Sequence, residues 1–391
     1  MRTREALTLA ALTALVASAA PARAQIQTTP CSISVQSQSV SCPASGDFYT
    51  GMTCYSGNVN SCPNADSLGF TYGVENATGT SLGTIVSFSG ANGKDANEEN
   101  ENAFVRAYLP NYQVVQVVWD DDWELTSQLN IGYAAARPAT FLNYIYQKYV
   151  QPIQQGTQNP LYGMCAQGIS AGAGALGYAL GWYGAASYLD KVELLSGPVF
   201  GNIQEGCEQP PPPIAIYVCG GSPSSCKLGS QPPWTNPPGY VGHPVNSLRQ
   251  WTGGSSQSHS ACQDTVNGTS SIADANWLAM SIASGGSNPT PMFNYPNTVA
   301  TGWLCATTTG ASMNNSSAQG WIFDSLVTAK SPYYFYAVQN CDGPEGVDGP
   351  DAYVPAILVG QQQTPEAGFT AIMNDMTSVQ QTQTGVCQKY H

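Results

Sequence analysis

The chain has few charged residues and very little histidine. Charged side chains make up 9% of its 391 residues, against about 25% in a typical soluble domain. The net charge is −13, and so acidic a surface repels nucleic-acid phosphates and anionic lipids. We therefore expect neither nucleic acid nor a membrane as a partner. Only three histidines occur, and because no C-x-x-C motif or Cys/His cluster is present, the sequence predicts no metal site and no cofactor.

Long apolar runs are also absent, apart from one stretch near the N-terminus. Residues 6–20 are apolar, Arg2 and Arg4 precede them, and Ala22-Arg23-Ala24 forms an A-x-A cleavage signal. The stretch is too short to span a bilayer comfortably, so it predicts a secretory signal peptide over residues 1–24. Without that segment, 24 acidic and 9 basic side chains remain, a net charge of −15. We expect a soluble, secreted protein, either extracellular or periplasmic, of unknown oligomeric state.

Cysteine, in contrast, is plentiful, and all 12 cysteines follow the predicted cleavage site. An even number in an exported chain indicates up to six disulfides. The closely spaced pairs Cys54/Cys62 and Cys219/Cys226 are the predicted local bridges. We expect at most a couple of free thiols, and the candidates are Cys165 and Cys305, which lie in apolar strands where a cysteine can act as a small hydrophobic residue. The twelve are Cys31, Cys42, Cys54, Cys62, Cys165, Cys207, Cys219, Cys226, Cys262, Cys305, Cys341 and Cys387.

Strand-like and helix-like segments alternate along most of the chain. Residues 25–75 carry four cysteines and short β-like runs, which we expect to pack on the main sheet. Alternation over residues 76–200, and again over 299–391, predicts a mostly parallel, doubly wound α/β sheet with helices on both faces. The intervening residues 201–298 are rich in proline and poor in periodic segments, which predicts a cap inserted into that sheet.

Individual elements follow from the same patterns. Helices are predicted up to about Leu109, over 131–150, within 161–188 after a strand and a tight turn, over 317–329 and near 365–378. The predicted strands are Phe48–Tyr55, Leu68–Tyr72, Gly83–Ser89, Val114–Trp119, Val192–Phe200, Thr301–Thr307 and Pro332–Gln339.

Two segments match the pattern G-x-S-x-G, and their context separates them. Gly79 to Gly83 lies in a predicted turn before a strand, where Ser81 has no evident role. Gly168-Ile169-Ser170-Ala171-Gly172 follows an apolar strand and opens a helix rich in small residues. A strand-to-helix turn of this kind exposes the serine hydroxyl above the sheet, beside free N–H groups at the helix start. Ser170 is therefore the predicted nucleophile.

Around this motif the chain resembles the α/β-hydrolase superfamily, which includes esterases, lipases and carboxypeptidases. Residues 165–198 (CAQGISAGAGALGYALGWYGAASYLDKVELLSGP) look like the family's elbow, helix and next strand. Residues 81–93 (SLGTIVSFSGANG) look like its oxyanion-loop strand, and 303–347 like its last two strands. The resemblance implies that Ala171, together with Gly90, Ala91 or Asn92, supplies oxyanion N–H groups.

The chain departs from the family at both of Ser170's usual partners. The family's acid follows the strand equivalent to Thr301–Thr307, but residues 308–313 contain no carboxylate. Its histidine follows the strand equivalent to Pro332–Gln339, but residues 341–348 contain Asp342, Glu345 and Asp348 and no histidine. Three possibilities stay open: Glu345 (or Asp342) is the base, a cap histidine reaches Ser170, or the site is degenerate.

Two functions are compatible with this pattern. The first is a secreted serine hydrolase that acts on a small or polymeric carboxylic ester, with Ser170 as nucleophile and Glu345 as the leading candidate for the base. The second is a catalytically silent extracellular binding protein that keeps the same scaffold, because a fold does not fix a function. Of the histidines, His243 and His259 lie in the predicted cap and His391 is the last residue.

Overall fold

The computed structural model describes residues 30–90, 92–97, 101–127, 130–156, 161–195, 201, 216–219, 226–229, 279–284, 295, 298–306, 333–339 and 376. For 216–219, 226–229, 303–306 and 333–339, only the backbone is described. The predicted signal peptide and the helix predicted over 317–329 lie outside these residues, as does nearly all of the last predicted helix.

The described strands form one eleven-stranded sheet, in the order β1-β2-β3-β5-β4-β6-β7-β10-β11-β8-β9. Neighbouring strands from β5 to β8 in that order run parallel, whereas β1, β2 and β3 at one end and β9 at the other pair antiparallel. The strands are β1 (Ser32–Val35), β2 (Thr53–Asn60), β3 (Leu68–Glu75), β4 (Gly83–Phe88), β5 (Tyr112–Trp119), β6 (Gly163–Ile169), β7 (Lys191–Leu195), β8 (Ile216–Cys219), β9 (Cys226–Gly229), β10 (Val299–Ala306) and β11 (Tyr333–Gln339).

Helices cover both faces of this sheet. On one face α1 (Glu101–Tyr108) packs Phe104 and Val105 into a core that contains Ile85 and Ile169. On the other face α3 (Ala136–Ile145) and α5 (Ala171–Gly181) share a larger core with β-strand residues such as Val86 and Ala166. Also described are α2 (Ile131–Ala134), a π-helix (Tyr146–Val150) and α4 (Gln151–Gln155). The predicted mostly parallel, doubly wound sheet of the α/β-hydrolase type is confirmed.

The burial of the central strands explains why they could be predicted from the sequence. Every residue of β4 and β6 is buried, as expected of parallel strands covered on both faces. Strand β2 begins at Thr53, whereas the sequence predicted Phe48–Tyr55, and β1, β8 and β9 were not predicted. These strands lie at or near the sheet ends, where the apolar pattern is weaker.

Two disulfides cross-link the N-terminal segment, and their pairing shows that the predicted Cys54/Cys62 bridge is wrong. Cys31 pairs with Cys62, with Cα atoms 4.2 Å apart, and Cys42 pairs with Cys54, with Cα atoms 5.2 Å apart. The prediction was wrong because Cys54 is the second residue of β2, and the extended strand from Cys54 to Asn60, about 20 Å long, separates it from Cys62. The antiparallel register of β1 and β2, with Ser32 opposite Asn60, brings Cys31 to Cys62 instead.

The expectation of a free thiol at Cys165 was also wrong. Cys165 is fully buried in β6 and disulfide-bonded, and its partner's side chain lies outside the described residues. The apolar strand sequence does not reveal which segment packs against its face. No cysteine whose side chain is described is a free thiol. Cys219 and Cys226 face each other in the register of β8 and β9, and a bridge between them stays a prediction, as does the free thiol at Cys305.

Described parts of the segment 201–298 lie against the sheet and its helices. β8 and β9 extend the sheet beyond β11. Residues 279–284 pack on α5, where Tyr178 Oη donates a hydrogen bond to the Met280 carbonyl and Trp182 Nε1 donates to the Ile282 carbonyl at 3.0 Å. The extent of the predicted cap stays a prediction. Among the described helices, none combines the length and apolar character needed to cross a membrane.

Candidate active site

Ser170 lies in a strained turn between β6 and α5. Its backbone angles, φ 50° and ψ −116°, fall outside the regions that residues with a side chain normally adopt. The Ser170 N–H donates to the Leu195 carbonyl of the adjacent strand at 2.9 Å, and the Ser170 carbonyl accepts the Ala173 N–H at 3.0 Å. Strain of this kind costs about 1–3 kcal/mol and persists only where the surroundings impose it. The geometry is that of a nucleophile elbow.

The two motif glycines permit the backbone crossing that forms this elbow. A Cβ atom on Gly168 would lie 2.3 Å from the Gly172 carbonyl oxygen. A Cβ atom on Gly172 would lie 2.6 Å from the Phe88 carbonyl oxygen and 2.9 Å from that of Ser89. Real Cβ atoms do not approach backbone this closely, so both positions require glycine. The G-x-S-x-G pattern at Ser170 is therefore a packing requirement of the strand-to-helix junction.

Alanine at either motif glycine should strongly destabilise the protein. Because the obstructing atoms belong to the backbone, Gly168→Ala and Gly172→Ala should each lower the free energy of unfolding by about 3 kcal/mol. Urea unfolding with the disulfides intact measures this loss. Gly156→Ala is the matched control, since Gly156 has φ −72° and a Cβ there would lie 3.2 Å from its nearest neighbour; its effect should stay within about 1 kcal/mol. Wild-type stability in both motif variants would contradict the described crossing.

Ser170→Gly should be more stable than Ser170→Ala. Glycine tolerates positive φ, so it releases strain that alanine keeps, and the difference in unfolding free energy should be about 1–2 kcal/mol. Ser81 offers the matched comparison, because it is not among the non-glycine residues with positive φ. There the order should reverse, with alanine more stable by about 0.5–1 kcal/mol. The same order at both serines would show that the Ser170 turn is unstrained.

The loop after β4, which we call the β4 loop (residues 89–97), lies beside the elbow. Strands β4 and β6 are parallel neighbours with Phe88 opposite Gly168, so their carboxyl ends meet at the same edge. The Gly90 carbonyl accepts the Gly93 N–H at 3.0 Å, which closes a tight turn. Of the predicted oxyanion donors, the structure thus brings Ala171 and Gly90 to one edge of the sheet, while Ala91 lies outside the described residues. The first N–H groups of α5, that of Ala171 included, have no acceptor within the helix.

Ser81 occupies the opposite edge of the sheet, in the loop that precedes β4. Its hydroxyl donates to the Gly83 carbonyl at 3.1 Å, and it shares a second hydrogen bond, at 3.2 Å, with the Tyr162 hydroxyl. The second G-x-S-x-G match is therefore an ordinary turn, as its context predicted.

The carboxyl end of β5 supports the β4 loop, and the sequence did not reveal this role. Three adjacent carboxylates, Asp120–Asp122, follow β5. Burial raises the pKa of Asp122, whereas the Asp122 N–H and the Lys94 ammonium lower the pKa of Asp121. Trp119 and Trp123 are buried, and the Trp119 N–H donates to the Gly93 carbonyl at 2.8 Å. The sequence feature that could have indicated this role is the pair of tryptophans, Trp119 and Trp123, on either side of the three aspartates.

The candidate bases lie outside the described residues. This applies to Glu345 and Asp342, and equally to His243, His259 and His391. The identity of the base therefore stays a prediction. Within the described residues, no three His, Cys, Asp or Glu side chains cluster as a metal site would require.

No model of a known family matches the sequence, and no curated protein matches it either. Solved structures with a similar chain course include acetyl xylan esterase 1 from Thermoanaerobacterium sp. (TM-score 0.38, 11% identity, 80% of this chain and 83% of that one). They also include carboxyl esterase 2 from Tuber melanosporum (0.37, 11%, 85% and 89%) and an esterase from Pyrobaculum calidifontis (0.36, 9%, 70% and 72%). Our assignment of the fold rests on the sheet order and on the elbow.

Proposed function

We propose that the protein is a secreted serine hydrolase of carboxylic esters, with Ser170 as the nucleophile. The observation that supports this most directly is the strained backbone of Ser170, which is enforced by two glycines that cannot carry a side chain. A binding scaffold gains nothing from this strain, whereas a nucleophile gains an exposed hydroxyl at a helix N-terminus. Ala171 and the β4 loop, with Gly90 and Ala91, are the proposed oxyanion donors.

The proposed reaction proceeds in two stages. A base removes the proton from the Ser170 hydroxyl as its oxygen attacks the ester carbonyl, and the negative oxygen that forms is stabilised by N–H groups at the start of α5 and in the β4 loop. The alcohol leaves with a proton, and the acyl group stays on the serine. Water, activated by the same base, then releases the carboxylic acid.

Glu345 is the leading candidate for the base, because it lies in the segment where the resembled family carries its histidine. A carboxylate can act as a general base when it is ionised and within hydrogen-bond reach of the hydroxyl. Asp342 in the same segment and a histidine from the predicted cap, His243 or His259, are the alternatives.

Hydrolysis of short acyl esters by the purified, disulfide-bonded protein tests this proposal. Wild-type protein should release p-nitrophenol from p-nitrophenyl acetate with saturation kinetics, and p-nitrophenyl phosphate should not be a substrate. Because an acyl-enzyme forms, rapid mixing should show an initial burst of about one p-nitrophenol per Ser170 whenever deacylation is slower than acylation. Absence of turnover above that of heat-denatured protein would contradict the proposal.

The second candidate function is an extracellular binding protein without catalysis. It is favoured by the lack of a carboxylate in residues 308–313 and of a histidine in residues 341–348. The two candidates differ in a measurable way, since only an activated serine reacts covalently with an electrophilic phosphonate.

A further inference from the structure

Arg137 sits at the centre of a buried clamp that joins three segments of backbone. Its side chain, 2% exposed, projects from α3. Nε donates to the Ala134 carbonyl at 3.3 Å and Nη1 donates to the Asp66 carbonyl at 3.3 Å. Nη2 donates to the Trp123 carbonyl at 2.7 Å and also to that of Leu125. The guanidinium thus fixes the loop after β5 to α2 and to the loop before β3.

The partners of this cation are carbonyl oxygens, and Arg137 forms no ion pair with another described side chain. Burial lowers the pKa of Arg137 to about 10, while the carboxylates of Asp66, Asp122 and Asp121 act from a longer distance in the opposite direction. A buried guanidinium is costly unless its donors are satisfied. Because the guanidinium fork is planar and rigid, it fixes where the accepting carbonyls must lie.

The clamped loop in turn holds the β4 loop. The N–H of Trp123, whose carbonyl Arg137 binds, donates to the Asn92 carbonyl at 3.4 Å. Gly93 has φ 72°, and a Cβ on it would lie 2.8 Å from Trp119 Cδ1 and 3.0 Å from Trp123 Cδ1. The Gly93 backbone therefore rests directly on the two indole rings. Exposed Lys94 adds an ion pair to Asp121 at 3.2 Å, which contributes little because water screens it.

A continuous series of contacts thus links Arg137 to the edge of the sheet where Ser170 lies. The guanidinium fixes Trp123, the two indoles support Gly93, and the Gly93 N–H closes the turn that begins at Gly90. We propose that Arg137 is a positioning residue, which sets the place of the oxyanion donors of the β4 loop. This inference rests on the proposed function, because the donors matter only if Ser170 attacks a carbonyl.

Arg137→Gln and Arg137→Lys test the inference in the full, disulfide-bonded protein. Glutamine loses most of the donors, so kcat for p-nitrophenyl acetate should fall about 10- to 100-fold while KM stays within about twofold, since the lost contribution is made in the transition state. Lysine keeps a donor for carbonyls and should recover part of the rate. The amides of residues 92–97 should exchange hydrogen about tenfold faster in Arg137→Gln.

Two further variants separate positioning from loss of stability. Tyr162→Phe removes a buried hydroxyl at the opposite edge of the sheet, where it contacts Ser81 and Thr84, and it should leave kcat and exchange in residues 92–97 unchanged. Gly93→Ala pushes the β4 loop off the indoles without touching Arg137, so it should lower kcat as Arg137→Gln does. If the Arg137 variants do not fold, Gly93→Ala still tests the proposal, because an unchanged kcat would show that the position of the β4 loop does not affect catalysis.

Distinct results overturn the inference and the proposed function. If wild-type protein hydrolyses esters but the Arg137 and Gly93 variants keep its kcat, or if exchange in residues 92–97 is unchanged, the positioning role is wrong and the proposed function survives. If wild-type protein is inert toward esters, the proposed function fails, and the inference fails with it.

Discussion

Ser170→Ala should abolish ester hydrolysis. Removing the nucleophile of a serine hydrolase costs on the order of 10⁶ in kcat, because no other group can form the acyl-enzyme. The fold should survive, since the Ser170 side chain makes no capping hydrogen bond at the start of α5. Steady-state kinetics on p-nitrophenyl acetate, with circular dichroism to confirm folding, measure the effect.

Ser81→Ala is the control for this experiment, because it alters the other G-x-S-x-G match in the same chain. Ser81 lies at the opposite edge of the sheet and hydrogen-bonds to Gly83 and Tyr162, so its loss should leave kcat within about twofold of wild type. Comparable losses in the two variants would mean that the measured activity does not come from the elbow.

Glu345→Gln should have the second largest effect. Glutamine has a similar shape but cannot accept the serine proton, so kcat should fall on the order of 10² to 10⁴ if Glu345 is the base. Asp348→Asn removes a carboxylate from the same segment and should change kcat little. His243→Asn and His259→Asn should also cost little. Large losses in a histidine variant together with an active Glu345→Gln would place the base in the predicted cap.

The pH dependence of the wild-type rate follows from the same assignment. A carboxylate base works only when it is ionised, so activity should be lost as the pH falls through its pKa and should reach a plateau above it. With a histidine base, activity would also be lost as the pH falls, here through a pKa near 6.5. The pH profile alone therefore does not distinguish a carboxylate base from a histidine base. Glu345→Gln distinguishes the two bases. If Glu345 is the base, the variant should lose most of the rate, and its remaining rate should no longer fall as the pH is lowered.

The central part of the fold could be predicted because its strands are buried on both faces. Strands β4, β5 and β6 are mainly apolar at successive positions, with only single polar residues such as Ser87, Gln116 and Gln167 between the apolar ones, and this pattern identifies parallel strands without any tertiary information. The elbow at Ser170 was also readable, since the glycines, the strand before and the small-residue helix after it all serve one backbone crossing. At this site the residues that determine the geometry are neighbours in the sequence, so the geometry could be predicted.

Contacts between segments far apart in the chain could not be predicted. The Cys31–Cys62 bridge depends on the register of β1 against β2, and the disulfide at Cys165 depends on what packs against β6. The role of Arg137 depends on four carbonyls that come together only in the folded chain. A lone arginine in an apolar helix gives no sign in the sequence of which backbone it binds.

The most direct test of the central claim is covalent labelling of Ser170 by a fluorophosphonate. Folded, disulfide-bonded protein should gain one phosphonate, and peptide mass mapping should locate it on Ser170 and not on Ser81. Labelling should be lost in Ser170→Ala, kept in Ser81→Ala, and lost on denaturation, because activation depends on the folded site. Folded wild-type protein that stays unlabelled from pH 4 to pH 9 would contradict the hydrolase proposal and favour the binding protein.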